Sequence, residues 1–167
     1  MDPHEQLMSQ IEAQYMAKNL AYNNAAHVTC CRFGPVSYAL RLTDKMNRYE
    51  NLRLHPDLDG GDEAIDDTLR DAINYVCMFV GDLRAGSTDV GDTQNIKETL
   101  KAIRSLANAN EARITIMAAN FIASKYMDAA GGLLESVPYE MFALGATPSD
   151  YMNFAAYLIT LYLDRGE

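Results

Sequence analysis

The chain has 167 residues, 49% of them hydrophobic and 22% charged, which is the balance of a folded globular domain and excludes a disordered one. A formal net charge of -9 excludes a protein that holds nucleic acid through bulk positive charge. No run of 18 apolar residues is present and the first residues lack the basic and apolar regions of a secretory signal, so the expectation is a cytoplasmic protein with no membrane-spanning helix.

Helical spacing dominates, and strand signals are nearly absent, which predicts an all-α bundle of about five to six helices forming a single domain over 1–167. The first helix spans about His4 to Leu20, with Leu7, Ile11, Tyr15 and the Leu20 region on its inward face. Ala21 to Gly34 reads as irregular, through the pair Asn23 and Asn24 and the break at Gly34-Pro35. Pro35 opens a second helix that runs to about Leu54, with Val36, Leu40 and Met46 or Tyr49 inward. His55-Pro56 ends it, and Asp59-Gly60-Gly61 makes the turn.

The third helix, from Asp62 to about Leu83, carries Ile65, Leu69, Ile73, Val76 and Val80 as its buried stripe. Gly86 to Asp92 reads as an exposed loop. A fourth helix starts near Thr93 and either breaks near Asn108-Ala109-Asn110 or runs through Ile114, Met117 and Phe121 to about Ala130, where Gly131-Gly132 caps it. A short helix over Tyr139 to Leu144 and a last one over Pro148 to Leu163 complete the chain. The small residues Ala118, Ala119, Ala123, Ala129 and Ala130 suit close helix packing or a subunit interface, and the aromatic residues near the end (Tyr151, Phe154, Tyr157, Tyr162) read as core.

Cys30, Cys31 and Cys77 lack any CxxC spacing and read as reduced thiols, while His4, His27 and His55 share no metal spacing and read as surface or loop residues. Nucleophilic triads and glycine-rich phosphate loops have no visible signature. The chemistry concentrates between Arg41 and Tyr75. Glu63, Asp67 and Asp71 recur at i, i+4 and i+8 and drift by only about 40° per step around the helix. Acidic residues in a first turn complement the helix dipole, so a solvated face explains most of them; Asp71 lies two turns in, where that help has faded. On the preceding helix Arg41, Lys45 and Arg48 recur at i, i+4 and i+7. They read either as ion-pair partners of the acidic helix in a hairpin or as cations facing a phosphate.

Those residues also carry a resemblance. Arg41-Leu42-x-Asp44-Lys45-x-x-Arg48 followed by Glu63-x-x-x-Asp67-Thr68-Leu69-x-Asp71-x-x-Asn74-Tyr75 resembles the first type of nucleotide modification associated domain, a family common in bacteriophages and similar at a distance to the all-α MazG and dimeric dUTPase pyrophosphatases. The resemblance covers about 18–83, with 93–167 as additional helices, and implies a MazG-like helical core, a homodimer or homotetramer, a phage origin and a nucleotide handled with Mg²⁺. Carried over by position, it makes Glu63, Asp67, Asp71 and Asp44 the metal ligands, with Asp67 and Asp71 catalytic. Lys18, Asn19, Tyr22, Arg41, Lys45, Arg48 and Asn74 become the substrate-binding residues. The family's Lys-x-x-Asp-Tyr-Gly-like element keeps only Lys18, Asn19 and Tyr22 here, and the ExxE pair of active MazG-type enzymes is missing.

Three functions follow as expectations. The first is a Mg²⁺-dependent nucleoside triphosphate pyrophosphohydrolase. The second is a non-catalytic module that sequesters a nucleotide. The third is an acidic protein that occupies a host factor, with no direct nucleic-acid contact expected in any of them.

Overall fold

Asp2 accepts the Glu5 backbone N–H at 2.9 Å and Pro3 fills a position whose own N–H has no helical partner, so the chain enters its first helix at once. The structure is a computed structural model that describes residues 2–58, 61–108, 119–120 and 124–165. These residues form helices α1 (Pro3–Ala21), α2 (Ala25–Phe33), α3 (Val36–Leu54), α4 (Asp62–Ala85) and α5 (Gln94–Ala107). A further helical stretch at 124–129, a 3₁₀ turn over Leu134–Ser136, and helices α6 (Val137–Ala143) and α7 (Pro148–Asp164) follow. No strand occurs among the described residues, and the helices outnumber the five to six expected.

Helix α4 is the axis of the fold. Its stripe of Ile65, Leu69, Ile73, Val76 and Val80 is buried as the spacing predicts, and Ala72, Cys77 and Phe79 extend burial around its other sides. Such all-round burial requires helices on several faces, and α3, α5 and α7 supply them. The α4–α5 crossing is close because Gly81 has no side chain: a Cβ there would lie 2.1 Å from Thr99 Oγ1 and 2.8 Å from the Asn95 carbonyl oxygen. On the opposite side Tyr38 stacks on Phe79 at 5.0 Å between centroids, and Phe79 meets Tyr151 edge-on at 4.6 Å, tying α3, α4 and α7 together. One apolar cluster joins residues from α1 to α7, and Tyr151, Met152 and Phe154 belong to it.

Three expectations are corrected. The segment read as irregular contains α2. Its start is hidden because Asn23 and Asn24 both sit at positive φ, a tight left-handed turn that asparagine tolerates, rather than at an ordinary capping geometry. Leu20 and Leu40 point outward, 79% and 60% exposed, since α1 and α3 bury narrower faces than their apolar residues suggest. His27 is not a surface residue but is 1% exposed.

The last turns match more closely. Gly131 and Gly132, both at positive φ, close the 124–129 stretch by donating their backbone N–H groups to the carbonyl oxygens of Asp128 and Met127. The choice between a break and a continuous helix through Ile114, Met117 and Phe121 lies outside the described residues, as do Asp59, Gly60, Ala118 and Ala123. No helix among the described residues is long and apolar enough to cross a membrane.

Candidate functional site

Two polar centres lie on α4, one around Asp71 and one around Asp82. The first is built where α1, α3 and α4 meet. Lys18 Nζ donates to Asp71 Oδ1 at 2.8 Å and Lys45 Nζ donates to Asp71 Oδ2 at 3.2 Å. Gln14 Nε2 adds a third bond to Asp71 Oδ1 at 3.2 Å, and Asn74 Nδ2 in turn donates to Gln14 Oε1 at 3.3 Å. Helix spacing explains the convergence: Gln14 and Lys18 are one turn apart on α1, and Asp71 and Asn74 one turn apart on α4. The basic face of α3 therefore does what a helical hairpin predicts, pairing Lys45 with the acidic helix that follows.

A cavity of about 460 Å³ opens against this network. Its polar lining includes Lys18, Arg41, Lys45, Asp71 and Asn74, and its walls include Tyr15, Tyr22 and Tyr75. Arg41 is held over the Tyr75 ring, 5.6 Å from its centroid, and donates to Thr29 Oγ1 at 3.2 Å. Three cations thus face one carboxylate inside a chain whose net charge is -9. Burial pushes the Tyr15 phenol up to about 12, against a smaller opposing pull from the Thr99 side chain, so that wall of the cavity stays uncharged.

A second cavity of about 480 Å³ lies on the other side of Lys45 and Asp71 and is lined by Arg48, Glu63, Asp67 and Thr68 as well. The residues singled out from sequence therefore divide as follows. Lys18, Asn19, Tyr22, Arg41 and Asn74 line the first cavity, Arg48, Glu63 and Asp67 line the second, and Lys45 and Asp71 line both. Asp44 is exposed on α3 and lines neither.

Mg²⁺ asks for oxygen ligands in a near-octahedral set, and of the four carboxylates the resemblance assigns to it two are already paired with cations. Both oxygens of Asp71 are engaged by lysines, and Asp67 is held by Arg70 on its own helix. At the start of α4, Asp66 and Asp62 turn instead to Arg165 at the end of α7. Among the described residues no three His, Cys, Asp or Glu side chains converge into a metal-binding group.

The second polar centre is closed. His27 Nδ1 lies 2.6 Å from Asp82 Oδ1, His27 Nε2 lies 2.9 Å from the Asp89 carbonyl oxygen, and the Tyr38 hydroxyl donates a short bond to Asp82 Oδ2. Cys31 Sγ sits 3.5 Å from His27 Nε2, so Cys31, His27 and Asp82 have the outline of a thiol, base and carboxylate triad. The chemistry does not follow the outline. Burial raises the Cys31 thiol above its ordinary range and pushes Cys30 up to about 11, while His27 Nε2 is already committed to Asp89.

Sequence reasoning missed this centre because its partners stand 55 residues apart. It also missed Gln14, which helix spacing could have found, since Gln14 precedes Lys18 by one turn on the same face. No protein-family model matches the chain, and neither the curated proteins nor the solved structures contain a match to it.

Proposed function

We propose that this chain is a binding protein for a small phosphorylated molecule of the nucleotide class, which it holds without a metal and returns unchanged. The observation that carries the reading is the first cavity: about 460 Å³, a volume suited to a nucleotide-sized ligand, with Lys18, Arg41 and Lys45 converging on it. Ammonium and guanidinium groups neutralise phosphate oxygens directly, and tyrosine rings beside them give a planar base an apolar wall. Asp71 holds both lysines at the site, so their ordering accompanies folding rather than binding.

The test is recovery of a nucleotide panel after incubation with the full chain, with Mg²⁺ or with EDTA. The expected result is intact nucleotide retained in both conditions. A second reading, a Mg²⁺-dependent pyrophosphohydrolase, is favoured by one observation: Glu63, Asp67 and Asp71 line the neighbouring cavity. Release of pyrophosphate only with Mg²⁺, abolished by Asp71→Asn, would replace the first reading with this one.

A further inference from the structure

Beside the first cavity, whose wall includes Asp71 and Asn74, the hydrogen-bond network runs in one direction only. A carboxylate accepts and cannot donate, so the Gln14 atom that faces Asp71 Oδ1 at 3.2 Å has to be the amide nitrogen. That turns Gln14 Oε1 toward Asn74, 3.3 Å away, and Asn74 has to answer with its own nitrogen. The Asn74 carbonyl oxygen is left over. It is buried, with the whole residue 5% exposed, and it has no hydrogen-bond partner among the described residues.

Buried acceptors are normally paired, because an unpaired one forfeits its water without a replacement. Reversing either amide would aim an oxygen at another oxygen, so the network cannot relieve the strain by a flip. The Asn74 carbonyl oxygen therefore lacks a partner that a ligand could bring.

We propose that the Asp71–Gln14–Asn74 chain selects the ligand of this cavity: beside its phosphate, the ligand presents a base N–H, an amine or ring imide, to Asn74 Oδ1. The inference rests on the reading of the cavity as a phosphorylated-ligand site and names what that site discriminates. Gln14 is a positioning residue here. It transmits the acceptor-only character of Asp71 to Asn74 and fixes which end of the Asn74 amide faces inward. Asn74 itself makes the contact.

The experiment is equilibrium binding of the full chain to AMP, CMP, GMP and UMP, all of which carry a base N–H, against purine riboside 5′-monophosphate, whose base has none, and ribose 5-phosphate. The expected result is that the best of the four binds about tenfold or more tightly than both ligands without a base N–H, whose ribose hydroxyls all the nucleotides share. Gln14→Leu, with its fold checked by circular dichroism, is expected to shrink that ratio toward one while leaving ribose 5-phosphate binding unchanged; a merely structural role would weaken every ligand alike. Purine riboside monophosphate or ribose 5-phosphate binding as well as the best nucleotide overturns the selectivity and leaves the phosphate site standing. Binding of no phosphorylated ligand at all overturns both.

Discussion

The two polar centres of α4 are built from similar parts and end in opposite states. Around Asp82, both carboxylate oxygens and both imidazole nitrogens have partners, and the Asp82, His27 and Tyr38 side chains are all buried. Around Asp71, the carboxylate is saturated but the network leaves the Asn74 amide oxygen unpaired, and a cavity adjoins. A buried polar network that closes on itself holds elements together. One that stops short is shaped for something outside the chain. The distinction separates the two more clearly than residue type does, since the Asp82 centre has the cysteine, histidine and aspartate that a motif search would prefer.

The sharpest way to break the comparison is to remove one charged partner from each centre. Asp82→Ala strands a buried imidazole and a buried phenol, and urea unfolding is expected to show a loss of about 3–5 kcal/mol. Lys45→Ala should leave stability nearly unchanged yet lower nucleotide affinity by about tenfold to a hundredfold in a binding titration, as loss of one charged hydrogen bond implies. An equal loss of stability in both variants would erase the distinction.

Alkali offers a third probe. The folded-state values of Tyr15 and Cys77, both about 12, and of Cys30, about 11, lie above their ordinary values of 10 and 9. Raised values of this kind support the fold fully below the ordinary pKa, and that support is lost as pH climbs through the folded one. Helical circular dichroism is therefore expected to hold to about pH 9 and to fall between about pH 10 and pH 12. Tyrosinate absorbance should rise in parallel, and with no tryptophan in the chain that signal is unobscured. Complete tyrosine ionisation near pH 10 with the helices intact would contradict the burial of these groups. The smallest effect is assigned to Asp71→Asn: with Lys18 half exposed, its unfolding free energy should stay within about 1 kcal/mol of the parent.

How far the sequence could be read depended on the range of the interaction concerned. The stripe from Ile65 to Val80, the stop at His55-Pro56 and the Gly131-Gly132 cap all follow from neighbours within a few turns, and the structure has them. Most residues drawn from the resemblance gather at the two cavities, because helix periodicity puts them on facing sides of α3 and α4. What stayed hidden is tertiary. His27 reads as polar until Asp82 is brought against it, and Leu40 reads as core until Ser37, Tyr38 and Ala39 take the inward positions. Helix α2 was concealed by the two left-handed asparagines before it, whose local geometry resembles a loop.

Asp71 has one more consequence. It is an anion resident in a site that we assign to anions, so it acts as a competitor tethered to its own receptor. The fold sets its effective concentration, and dilution cannot lower it. Any incoming group has to share Lys18 and Lys45 with a carboxylate already seated between them. A singly charged oxyanion such as acetate offers those lysines nothing that Asp71 does not, whereas a dianionic phosphate does. The threshold for occupancy is thus written into one side chain, and weakly charged metabolites are turned away before the shape of the cavity is consulted.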